Sequence, residues 1–74
     1  MTLRDCTPGQ VVVLVRVGAE GPPLRRLQEW GFVPGARLRL VARSVAGGLV
    51  VALDEARVAI SSGLAQTLFV ADPC

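Results

Sequence analysis

The sequence predicts a small all-β barrel, five short strands with one brief α-helix between strands 1 and 2. Three observations carry that expectation. Apolar, β-branched runs recur along the chain at short spacing, each bounded by Gly, Pro, Ser or Asp. One stretch alone, Leu24-Arg25-Arg26-Leu27-Gln28-Glu29-Trp30-Gly31, sets its apolar residues three apart instead of two. Finally, 74 residues make a single domain, 1–74, with a small core.

The elements follow in order. Thr7-Pro8-Gly9 is a turn, and Gln10–Val17 is the first strand. Its odd positions Val11, Val13, Val15 and Val17 are wholly apolar and are expected to face the core, with Gln10, Val12, Leu14 and Arg16 on the other side. Residues 18–23 form a loop whose closing prolines preset helical φ. The helix, near 23–30, carries the stripe Leu24, Leu27, Trp30, and turns Arg25, Arg26, Gln28 and Glu29 to water. Gly31 stands where a helix end needs a left-handed residue, and Phe32 can fold back on the last turn. Val33-Pro34-Gly35-Ala36 fits a type II turn, which launches Arg37–Arg43 with Leu38, Leu40 and Ala42 inward. Ala46-Gly47-Gly48 leads into Leu49–Leu53, Asp54-Glu55 makes a tip, and Arg57–Ile60 returns. Ser61 caps a single helical turn, and Thr67–Ala71 is the fifth strand. The predicted interior is Val11, Val13, Val15, Leu38, Leu40, Val51, Ile60 and Val70.

Composition narrows the function. Hydrophobic residues make up 51% of the chain and charged ones only 19%, below the roughly 25% of ordinary soluble domains. So small a body cannot hide that much, which leaves apolar surface for a partner or for self-association. The longest apolar run, Val11–Val15, is far short of the roughly 18 residues a spanning helix needs, and Met1–Cys6 has no signal core. A cytosolic protein is expected. All eight basic residues are arginine, but three aromatics in apolar patterns offer no stacking platform, which argues against nucleic acid.

Catalysis is argued against as well. There is no histidine to act as a base near neutral pH, Asp54 and Glu55 are neighbours that a strand would point apart, and Ser61-Ser62-Gly63 has no base partner. No glycine pattern matches a phosphate loop. Cys6 and Cys74, at opposite ends, are expected as free thiols. No cofactor is expected. A weak transition-metal site would have to combine the two thiols with Asp5 or Asp72, short of the ligand set of structural zinc.

The order Pro8-Gly9-Gln10, then a helix ending Trp30-Gly31-Phe32-Val33-Pro34-Gly35, then alternating Leu38 and Leu40, resembles the FeoA family over residues 3 to 71. The most specific part is the Leu-x-x-Leu-x-x-x-Gly-Phe-x-Pro-Gly segment at 24 to 35. The same module is similar to the C-terminal domain of DtxR-type metal-dependent repressors. The segment Ile60–Ala65 departs from the family, which often has an arginine after the strand and a glutamate before the alanine. The resemblance implies an SH3-like barrel, cytosolic and bacterial, that binds and modulates the FeoB-type ferrous iron transporter. Two other readings stand beside it: a metal-sensing or metal-delivering protein using Cys6 and Cys74, and a generic SH3-like peptide- or RNA-binding module. One tryptophan and no tyrosine make the aromatic groove of the latter hard to build. The expected partner-binding residues are Leu24, Arg25, Arg26 and Trp30. Leu24 and Trp30 end the helix stripe, whereas Leu27 and Phe32 belong to the core. A partly exposed tryptophan flanked by arginines has the composition of an interface hot spot.

Overall fold

The computed structural model describes residues 1–72. A 3₁₀ turn, Leu3–Asp5, precedes five strands and two helices: β1 (Val11–Val17), α1 (Pro22–Trp30), β2 (Arg37–Arg43), β3 (Leu49–Leu53), β4 (Ala56–Ile60), α2 (Ser62–Ala65) and β5 (Leu68–Ala71). The strands form one sheet in the order β4-β3-β2-β1-β5, antiparallel throughout, curled around a core that α1 covers at one end.

The turns form where the sequence put them. The N–H of Ala36 donates to the carbonyl of Val33 (3.0 Å) with Gly35 at φ 94, a type II turn. The turn is pinned to β1 because Gly35 N–H donates to Leu14 O (2.7 Å) and Leu14 N–H to Ala36 O (2.8 Å). At the end of α1, Gly31 sits at φ 99. Phe32 N–H donates back to Leu27 O (2.9 Å), a Schellman closure whose two apolar members are both fully buried. Ser61 caps α2 by accepting from Leu64 N–H (3.2 Å).

Two expectations about the core need correction, and a register slip enters both. In β1 the inward residues are Val12 and Leu14; Val11 and Val15 are exposed and Val13 is half-buried. The register against β5 slips between Leu14 and Arg16, so Val15 is a bulge residue and the alternation changes phase there, letting Val17 pack on the core. In β2 a second slip lies between Leu40 and Ala42. Ala42 therefore pairs with Val50 and is exposed, while Arg43 pairs with Leu49, an inward residue. Leu38, Leu40, Val51, Ile60 and Val70 are buried as expected.

Arg43, brought round by that bulge, reaches the amino-terminal segment and donates to the carbonyls of Arg4 and Cys6. The turn it holds is built locally. Thr2 N–H donates to the Asp5 carboxylate (3.0 Å), as does the Thr2 hydroxyl (3.2 Å), and Leu3 and Cys6 point into the core. The hydrogen bonds from Thr2, its backbone N–H first, hold the Asp5 carboxyl below its ordinary value.

Candidate functional site

On a helix, residues three apart lie about 60° round the axis from one another, so Leu24 and Trp30 fall on opposite flanks of Leu27. Leu27, at the centre of the stripe, is fully buried and anchors α1 to the core. The flanks look into different hollows. Trp30, still 41% exposed, shares with Arg26 a groove of about 620 Å³ whose far wall is Ala59, Ile60 and Leu64. Ala19, Pro22 and Pro23 close it at the start of α1. Leu24, half-buried, and Arg25 line a smaller hollow with Gln28 on the other flank. Of the four expected partner-binding residues the fold therefore brings Arg26 and Trp30 together and sets Leu24 and Arg25 apart from them.

The groove is mostly apolar with one cationic rim. Among the described residues the side-chain hydrogen bonds from arginine come from Arg4 and Arg43 alone. Arg16 lies over the Phe69 ring, 4.3 Å from its centroid. Arg26, with no such partner, stays available at the groove. The second wall is invisible to sequence reasoning, since nothing local to Ala59-Ile60-Ser61 announces that α1 lies opposite. The serine cap of α2 is the sole local hint that this segment turns there.

The structure places Cys6 in the core, with its thiol 3.8 Å from the Thr2 carbonyl and burial pushing it above the ordinary 9.0. Cys74 lies outside the described residues. Among the described residues no group of three or more Cys, Asp or Glu side chains is placed to hold a metal ion. No helix among them is long and apolar enough to cross a membrane.

Comparison with known proteins fits this geometry. No curated protein matches the chain. The solution structure of a Chlorobium tepidum FeoA protein superposes on all of this chain and 71% of its own at a TM-score of 0.92, at 24% identity, a likeness of fold. A manganese-dependent transcriptional repressor is 32% identical over 97% of this chain, with a TM-score of 0.89. The match takes in just 41% of the repressor, so the present chain corresponds to one part of it. FeoA from Stenotrophomonas maltophilia, a prokaryotic SH3 domain protein solved with zinc and regarded as a candidate activating factor of ferrous iron transport, is 33% identical. That alignment takes in 96% of this chain and 89% of the other, with a TM-score of 0.83. The barrel is thus SH3-like. With the model of the FeoA domain matching residues 1–72, the chain belongs to the FeoA family, which is implicated in ferrous iron transport.

Proposed function

We propose that this protein is a cytosolic, non-enzymatic accessory of ferrous iron uptake that binds the cytosolic domain of a FeoB-type transporter and modulates it, docking through the α1 groove. The observation that carries the reading is Trp30, a large aromatic left 41% exposed beside Arg26 on a helix whose neighbour Leu27 is fully buried. An exposed tryptophan in an apolar hollow with a cationic rim has the make-up of an interface anchor. Family membership supports the process, and the candidate activating role of the Stenotrophomonas relative supports a transporter as the partner.

The test is retention of the protein on the immobilised cytosolic domain of the transporter. Trp30→Ala and Arg26→Glu should weaken binding by about 30-fold, the scale of a hot-spot loss of about 2 kcal/mol. Their circular dichroism and melting temperature should stay near wild type. Leu24→Asp, on the opposite flank, weakens binding too if the partner wraps α1. Wild-type retention by all three variants would remove the groove from the interface.

A further inference from the structure

The sheet has two outer edges, and they are treated differently. That of β5 is occupied: Thr2 bridges to Phe69, and Val70 N–H donates to the Met1 carbonyl (2.9 Å). That of β4 has β3 on one side and, among the described residues, no backbone partner on the other. The hairpin fixes which groups are left over. Leu53 and Ala56 flank the two-residue turn Asp54-Glu55 as a hydrogen-bonded pair, so Ala56, Val58 and Ile60 turn their N–H and C=O to β3. Arg57 and Ala59 turn theirs outward. This open edge runs beside the α1 groove, which Ala59 and Ile60 line.

We propose that the partner enters as a sixth strand, an extended segment of alternating apolar and acidic residues that pairs with the outer edge of β4. This inference rests on reading the α1 groove as the partner site and says what fills it. Strand alternation sorts the segment's side chains. Those opposite Val58 and Ile60 fall on the inward face and enter the groove against Trp30 and Leu64. Those opposite Arg57 and Ala59 fall on the outer face, beside Arg57. The Arg57 guanidinium donates no hydrogen bond to a described residue, so a carboxylate there gains a charge-assisted contact without displacing one. A second copy is a poorer occupant, because antiparallel pairing of two β4 strands would bring both Arg57 side chains onto one face within diagonal reach.

The probe is a capped seven-residue peptide alternating glutamate and valine, compared with the same peptide carrying lysine for glutamate. The expected result is slowed exchange of the Arg57 and Ala59 amides with the glutamate peptide alone, together with a shift in Trp30 fluorescence. Ala59→Pro removes one outward N–H that β3 does not use, a position where an edge strand tolerates proline. It should lower affinity about tenfold, the scale of one lost hydrogen bond, with an unchanged melting temperature. Arg57→Glu, an exposed substitution that leaves the backbone alone, should reverse the preference to the lysine peptide. Overturning results are unprotected Arg57 and Ala59 amides, an Arg57→Glu variant that still prefers glutamate, or protection that rises with protein concentration in the absence of peptide. On the transporter's cytosolic domain the two readings separate. If Ala59→Pro binds as wild type while Arg26→Glu does not, strand addition is wrong and the groove stands; if both bind as wild type, both readings fall.

Discussion

Replacing Gly31 by valine puts a β-branched side chain at φ 99, beyond the left-handed region that L-residues occupy even at a cost. The conformational part is about 1–2 kcal/mol. A second part comes from packing: a Cβ built on Gly31 lies 3.0 Å from Cδ2 of Leu53, a residue just 5% exposed and so held by its neighbours. Overpacking of this kind costs about 1–3 kcal/mol, the lower end applying because the atom met is the tip of a flexible side chain. Together these give about 2–4 kcal/mol, or a fall in melting temperature of roughly 10–25 °C for a domain of this size. The assay is thermal and urea unfolding of Gly31→Asn, Gly31→Ala and Gly31→Val. Asparagine tolerates positive φ best, so the loss should grow in that order. Gly31→Ala in a Leu53→Ala background should recover the packing part and keep the conformational one, a coupling read directly from the double-mutant cycle. Equal stability for wild type and Gly31→Val, or a loss indifferent to the residue introduced, would refute the Schellman closure as the end of α1.

The bulge in β1 makes neighbouring residues unequal: Leu14→Ala should cost about 2–5 kcal/mol and Val15→Ala within about 0.5 kcal/mol of nothing, by urea unfolding. Asp5, whose carboxyl is depressed by the hydrogen bonds from Thr2, contributes stability that is complete above its ordinary 3.8 and is lost as pH falls through its lower folded value. Its carboxyl ¹³C titration should therefore have a midpoint below 3.8, and in Asp5→Asn the acid loss should shrink. Cys6 is displaced the other way by burial, so the stability tied to its neutral form is present below 9.0 and is lost as pH rises through the raised folded value. With no lysine or tyrosine in the chain, Cys6→Ala should flatten most of the alkaline loss above about pH 9. Iodoacetamide should label Cys6 no faster than the protein unfolds.

The local elements were legible because each is set by chemistry within a few residues. Gly31, the Val33–Ala36 turn, the Ser61 cap and the alternation of Leu38 and Leu40 all appear as read. The phase of β1 was not legible. Val11-Val12-Val13-Leu14-Val15 is apolar on both faces, so a period of two cannot choose between them; the choice falls to pairing of Val12 with Leu38 and Leu14 with Val70, and a bulge then changes the phase at Val15. A bulge likewise moved Ala42 out and set Arg43, itself exposed, opposite Leu49, where the arginine reaches two backbone carbonyls. Leu3 and Cys6 were not legible as core because a two-residue contribution from a turn leaves no periodic signal; the segment that carries them is held by Arg43 from β2 and by β5.

The candidate site repeats that division between local and distant causes. The helix stripe told which side chains leave the core, and Leu27 buried with Trp30 exposed follows from it. It could not tell that one flank of α1 looks onto a sheet edge with no backbone partner among the described residues and the other onto the bulged end of β1, where Val15, Val17 and Pro34 stand beside Leu24. That distinction decides the kind of partner each flank suits. A hollow bounded by side chains alone can take a side chain. The Trp30 groove has in addition the outward N–H and C=O of Ala59 at one wall, continued along the β4 edge by those of Arg57, and backbone groups in register recognise backbone, with Trp30 and Arg57 left to select the side chains it carries.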